Sequence, residues 1–146
     1  MKALTVKQPW VYGILHAGKD VENRSWRTHF RGWLAIHAGA VIVRDATFPG
    51  RLVVPERDEL EVSAVLGVVR LADVREKSRS RWFYRPQRGE TNLAWVLEDA
   101  YSIREPIPCK GSLGLWNLSP RVTRKLKEQL PRRILREMEK QEDGLR

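Results

Sequence analysis

The segment Gly18-Lys19-Asp20-Val21-Glu22-Asn23-Arg24 organises the reading of this 146-residue chain. It ends a short helical pattern and leads into a strand. Gly18 suits the stop of a helix, where left-handed backbone is favoured. Alternate side chains of a strand share a face, so Glu22 and Arg24 point the same way, with Lys19 just before them. One carboxylate thus stands between two cations. Lys19 and Arg24 keep donors for a phosphate or a base edge. The same three residues also read as an ion-pair network that only fixes helix to sheet. Exposed ion pairs contribute little, about 0–1 kcal/mol, so a concave site is the better reason for the cluster.

Upstream, residues 3–7 alternate as a strand, with Leu4 and Val6 on one side. Gln8-Pro9-Trp10 opens the helix, with Pro9 near its first position and Val11, Ile14 and Leu15 on its apolar side. Trp10 offers a flat wall for a base. Downstream, strands are expected over 21–26, 32–39, 62–74, 93–97, 101–105 and 112–118. The stretch 41–60 is expected to hold one or two short helices around a Pro49-Gly50 turn. Strands that do not alternate with helices argue against a doubly wound sheet. The expected class is α+β: a small, mostly antiparallel β-barrel of about six strands. One helix follows the first strand, peripheral helices surround the barrel, and a helical tail ends the chain. Trp33, His37, Trp95 and Trp116 read as core.

The charge is unevenly spread. Lys and Arg number 27 against 18 Asp and Glu, for a net +9, and the pI is near 10.2. Residues 1–118 hold 18 basic and 13 acidic side chains, and residues 119–146 hold 9 and 5. The chain is therefore divided into a barrel, 1–118, and a basic helical tail, 119–146. Ser119-Pro120 is a helix start, and Pro131 breaks the tail. Val122 and Leu126, then Ile134, Leu135 and Met138, give the tail a thin apolar stripe. It reads as packed on the domain, with a basic face that can also touch phosphate.

The loop Arg75–Arg88 carries six basic residues and one acid around Trp82-Phe83-Tyr84. Bases of a single strand stack on such rings while arginines neutralise adjacent phosphates. The rings also read as plugs that anchor a long loop, and both roles fit within one trio. A lone cysteine, Cys109, excludes an intramolecular disulfide framework. No apolar run approaches the roughly 18 residues of a membrane span, and the N-terminus does not read as a signal peptide. The expected location is cytoplasmic, with no membrane partner, cofactor or metal. No His/Cys/Asp cluster has ligand spacing.

The spacing Lys-x-x-Glu-x-Arg of Lys19, Glu22 and Arg24 resembles the signature of the ASCH family. Val6-Lys7-Gln8-Pro9-Trp10, Arg31-Gly32-Trp33-Leu34-Ala35-Ile36-His37-Ala38 and Gly111-Ser112-Leu113-Gly114-Leu115-Trp116 resemble its flanking segments. The likeness covers roughly residues 2–118. Gly18 directly precedes Lys19, where the family often leaves one residue between. The resemblance implies a PUA-like barrel and contact with nucleic acid. The expected function is a nucleic-acid-binding module holding single-stranded RNA or DNA, or an unstacked and even modified nucleotide, in a basic cleft. The residues expected to line it are Trp10, Lys19, Glu22, Arg24, Trp26, Arg27, Arg79, Arg81, Trp82, Tyr84 and Arg85. The alternative is a hydrolase, ribonuclease-like or acting on acetylated cytidine, with Lys19 and Glu22 catalytic. ASCH amidohydrolases use a threonine nucleophile where this chain has Glu22, and a carboxylate does not replace that hydroxyl.

Overall fold

The computed structural model describes residues 1–144. The alternating N-terminal stretch forms β1 (Lys2–Gln8), and α1 (Trp10–His16) follows at once. Gln8 is buried and caps that helix: its Oε1 accepts from the Tyr12 amide at 3.0 Å, and its Nε2 donates to the Glu61 carbonyl at 3.0 Å. Then come β2 (Val21–Arg24), β3 (Gly32–Ile42), β4 (Ala64–Arg75), β5 (Leu93–Pro108) and β6 (Leu115–Asn117). The chain ends in α2 (Pro120–Glu128) and α3 (Arg132–Gly144). Among the described residues the fold is α+β, with three helices around one six-stranded mixed sheet of order β2-β5-β4-β3-β1-β6. β1 pairs with β3 in parallel, and the other pairings are antiparallel.

Three expectations need correction. The sheet is open, with β2 and β6 as its edges, rather than closed into a barrel. The β2 edge nevertheless comes within side-chain reach of β1: Arg24 on β2 donates from Nη2 to the Thr5 carbonyl of β1 at 2.9 Å. A side chain, not a backbone ladder, spans that gap. The strands expected at 93–97 and 101–105 are the single β5. Its polar Glu98-Asp99 stretch is an irregularity rather than a turn: Asp99 takes φ 56°, and the β4–β5 register slips at three places. The stretch 41–60 holds no α-helix among the described residues, only a 3₁₀ turn at Arg57–Glu59.

Both sheet faces are covered. On one, Leu4, Val6, Leu34, Ile36, Leu71 and Trp95 pack with Val11 and Ile14 of α1. On the other, Ala3, Trp33, Ala35, Val65 and Val68 meet Val122, Leu126, Leu130, Ile134 and Met138. The basic stretch 119–144 therefore shares a core with the sheet. Ser119 caps α2, its Oγ accepting from the Val122 amide at 3.2 Å. Trp33 stitches α3 down, its Nε1 donating to Glu137 at 3.0 Å and its amide to Gln141 Oε1 at 2.7 Å. Gly32 makes that approach possible. Its φ is 121°, and a Cβ there would lie 2.1 Å from Gln141 Oε1. His37 is a satisfied core group, contacting Thr5 Oγ1 at 3.2 Å and the Cys109 carbonyl at 2.8 Å. Trp33 and Trp95 are fully buried, and Trp116 is half-buried with its Nε1 donating to Thr5 Oγ1 at 3.0 Å.

Candidate functional site: a cationic-aromatic cavity

Gly18, at φ 72°, turns the chain out of α1, and the Lys19 amide closes the turn on the Gly13 carbonyl at 2.9 Å. The Lys19 stem lies over Gly13, where a Cβ would come within 3.2 Å of it. Its Nζ donates to the Val21 carbonyl and, at 3.0 Å, to Glu22 Oε1. Arg24 engages the other oxygen, with Nε at 2.9 Å and Nη2 at 2.8 Å from Glu22 Oε2. Lys19 and Glu22 are 4% and 6% exposed, so this is an interior network and not a solvated pair. No buried side-chain polar atom lacks a partner among the described residues.

The network lines a cavity of about 910 Å³, near the upper end of the roughly 300–1,000 Å³ of small-molecule sites. Trp10, Trp26, Phe48, Trp82, Phe83 and Tyr84 form aromatic wall, and Lys7, Arg81 and Leu113 also line it. Four cations (Lys7, Lys19, Arg24 and Arg81) face one carboxylate, Glu22. Lys7 and Arg81 are exposed and form no ion pair among the described residues. Leu113 is 98% exposed, an apolar group held out in water beside the opening.

The aromatic wall is held by short bonds from β2. Odd and even residues of that strand serve different sides. Glu22 and Arg24 turn inward to the network. Asn23 turns to the β4–β5 loop, donating from Nδ2 to the Trp82 carbonyl at 3.0 Å. Its Oδ1 accepts from the Tyr84 amide and from Asn92 Nδ2, each at 3.0 Å. Asn92 also donates to the Tyr84 carbonyl at 2.7 Å. Ser80 adds a turn, accepting from the Trp82 amide at 3.1 Å and donating its hydroxyl to Asp20. The rings are thus set before any ligand arrives.

Of the eleven residues expected at the site, Trp10, Lys19, Glu22, Arg24, Trp26, Arg81, Trp82 and Tyr84 line this one cavity. Trp82 does so from a buried position. It is 8% exposed and meets Phe48 edge-on at a centroid distance of 5.1 Å, so it is the plug of the loop as well as wall. Trp26 leans on Trp95, T-shaped at 4.7 Å, and Tyr84 is the most exposed ring of the set. Three residues lie elsewhere. Arg27 pairs with Glu76 at 3.0 Å on the surface, and Arg79 and Arg85 line a neighbouring groove. Sequence reasoning missed Lys7, Asn23, Phe48 and Leu113. Lys7 had a signal, since it closes β1 just ahead of Trp10. Phe48, in a mixed stretch, had only its own hydrophobicity.

Tyr84 donates its hydroxyl to Glu90 Oε1 at 2.9 Å, and that bond to a carboxylate pushes its pKa above the ordinary tyrosine value. Among the described residues, no group of three or more His, Cys, Asp or Glu side chains is placed to hold a metal ion, and no helix is long and apolar enough to cross a membrane. In comparisons with models of known protein families and with curated proteins, nothing matches this chain.

Proposed function

We propose that the chain is a nucleic-acid-binding module of ASCH kind. It holds one unstacked nucleotide of a single-stranded RNA or DNA in the cationic-aromatic cavity, in a PUA-like arrangement and in the cytoplasm. One observation carries this reading: among the described residues, four cations and six aromatic rings share one cavity with a single carboxylate, and that carboxylate is already neutralised from both sides. An unstacked base offers a π face to the rings, and its phosphate suits the cations. A duplex keeps its bases stacked and gives the rings nothing to hold.

The test is fluorescence anisotropy with labelled U10 and dT10 strands and a ten-base-pair duplex. Single strands bind more tightly than the duplex, and affinity falls steeply with salt as counterions are released. Lys7→Ala and Arg81→Ala each weaken binding. Both residues are exposed, so the fold is retained. Equal affinity for duplex and strand, or indifference to both substitutions, overturns the reading.

The hydrolase alternative rests on Lys19 and Glu22 meeting at 3.0 Å against the cavity. Two bonds from Lys19 Nζ and both oxygens of Glu22 are spent within the protein, an arrangement that suits holding charge more than shuttling a proton. Turnover of labelled RNA or acetylated cytidine, abolished in a folded Lys19→Arg variant, would establish it.

A further inference from the structure

A second groove of about 1,040 Å³ adjoins the first, and Phe83 lines both spaces. Hydrogen bonds join the two again: the Tyr84 hydroxyl, from the first cavity, donates to Glu90 of the second, and Asn92 of the second donates to Asn23 and to the Tyr84 carbonyl. Lys77, Arg79 and Arg85 line the second groove, are close to the surface and form no ion pair among the described residues. Its acids are already engaged. Glu76 binds Arg27, and Glu90 accepts from Tyr84 and, at 2.9 Å, from the Gln87 amide. Uncompensated cations next to a half-buried ring are a phosphate-and-base surface.

We propose that this groove is a second subsite of the same cleft. It takes the nucleotide adjacent to the one in the first cavity, with Phe83 as the partition between the two bases and Arg79 and Arg85 on the phosphodiester leading away. The proposal rests on the nucleic-acid reading of the first cavity and adds direction and length to it. The strand runs across the Trp82-Phe83-Tyr84 ridge instead of ending in a single pocket. RNA and DNA strands share the phosphodiester that the groove recognises.

The experiment compares wild type, Arg81→Ala, Arg79→Ala/Arg85→Ala and Arg132→Ala/Arg133→Ala. The last pair removes the same charge from exposed positions of α3. Each protein is titrated with UMP and dTMP by NMR, and with U10 and dT10 by anisotropy over a salt series. Arg81→Ala weakens both mononucleotide and strand. Arg79→Ala/Arg85→Ala leaves the mononucleotides unaffected but weakens the strands. It also lowers the slope of log affinity against log salt by about 1.4, the share of two single-strand phosphates. Arg132→Ala/Arg133→Ala, on the basic tail, lowers that slope by less than the groove variant does. A preference for U10 or dT10 identifies the source of the phosphodiester.

Three results overturn the subsite. The groove variant can bind strands like wild type, or weaken mononucleotides as much as strands, or lose no more slope than the α3 control. In those cases the first cavity stands, provided Arg81→Ala still weakens binding. If wild type binds neither mononucleotide nor strand, the parent reading falls and the subsite with it.

Discussion

The substitution Glu22→Gln isolates the charge of the interior network while keeping its shape. Glutamine can accept from one cation through its remaining carbonyl oxygen. Its NH₂ then faces the donors of the other, so one attraction becomes a donor–donor conflict. Lys19 is left with no acid partner at 4% exposure. Removing one partner of a buried pair costs about 3–5 kcal/mol, because the surviving charge stays desolvated. Arg24 keeps 23% of its side-chain surface, which places the loss near the lower bound, about 3 kcal/mol. Domains of this class hold about 5–15 kcal/mol in all, so the variant loses a large share of its stability. At about 3–4 °C per kcal/mol, the Tm falls by about 9–12 °C. Urea unfolding followed by tryptophan fluorescence measures the loss directly. The double variant Lys19→Met/Glu22→Gln recovers part of it, since the orphaned ammonium is gone. A loss below about 1 kcal/mol, the range of exposed pairs, would refute the picture of an interior charge network. So would a double variant no better than the single one.

Other expectations follow from packing and exposure. Gly67→Ala puts a Cβ 2.3 Å from the Tyr101 carbonyl oxygen and 2.8 Å from Leu15 Cδ2. The carbonyl belongs to backbone and cannot swing aside, so urea titration shows a loss of about 2–3 kcal/mol. Deleting residues 119–146 strips five buried side chains from one sheet face: Val122, Leu126, Leu130, Ile134 and Met138. At about 1.5–3 kcal/mol each, the loss of about 7.5–15 kcal/mol is as large as the whole stability of a typical domain. The truncated chain therefore loses its cooperative thermal transition, and a normal transition would show that the helices are dispensable. Burial raises the Cys109 pKa, which a weaker backbone hydrogen bond from Val65 opposes. The folded thiol carries less thiolate at pH 8 than the unfolded one. Alkylation by iodoacetamide is accordingly slower in buffer than in urea, and equal rates would contradict the burial.

The sequence patterns that survived in the fold are those with a local cause. Leu4 and Val6 alternate, Gly18 stops a helix, and Ser119-Pro120 starts one; each acts within a few residues. Lys19, Glu22 and Arg24 were legible for the same reason, since strand alternation and a helix end bring them together with no knowledge of the sheet. What was not legible depended on distant partners. The β5 irregularity at Asp99 looks like a turn in sequence and is identified only by its pairing with β4. Phe48 joins the site because Trp82, 34 positions later, needs a partner. The open edge at β2, linked to β1 by the Arg24 side chain and not by a ladder, is encoded by no periodicity. Arg79 and Arg81 are two residues apart on one loop, yet they line two different spaces that share Phe83.

The Asn23 bonds make β2 part of any binding equilibrium at this site. β2 is an edge strand of four residues with one backbone neighbour, β5, the kind of element that opens locally at low free-energy cost. When it opens, the loop loses the Asn23 bonds to Trp82 and Tyr84, and the cavity loses Glu22 and Arg24 in the same motion. Occupancy and strand closure are therefore thermodynamically linked: whatever the cavity holds must contribute to keeping the edge shut. Affinity at this site is then set partly by how often a four-residue strand is in place, and not only by the groups that touch the ligand.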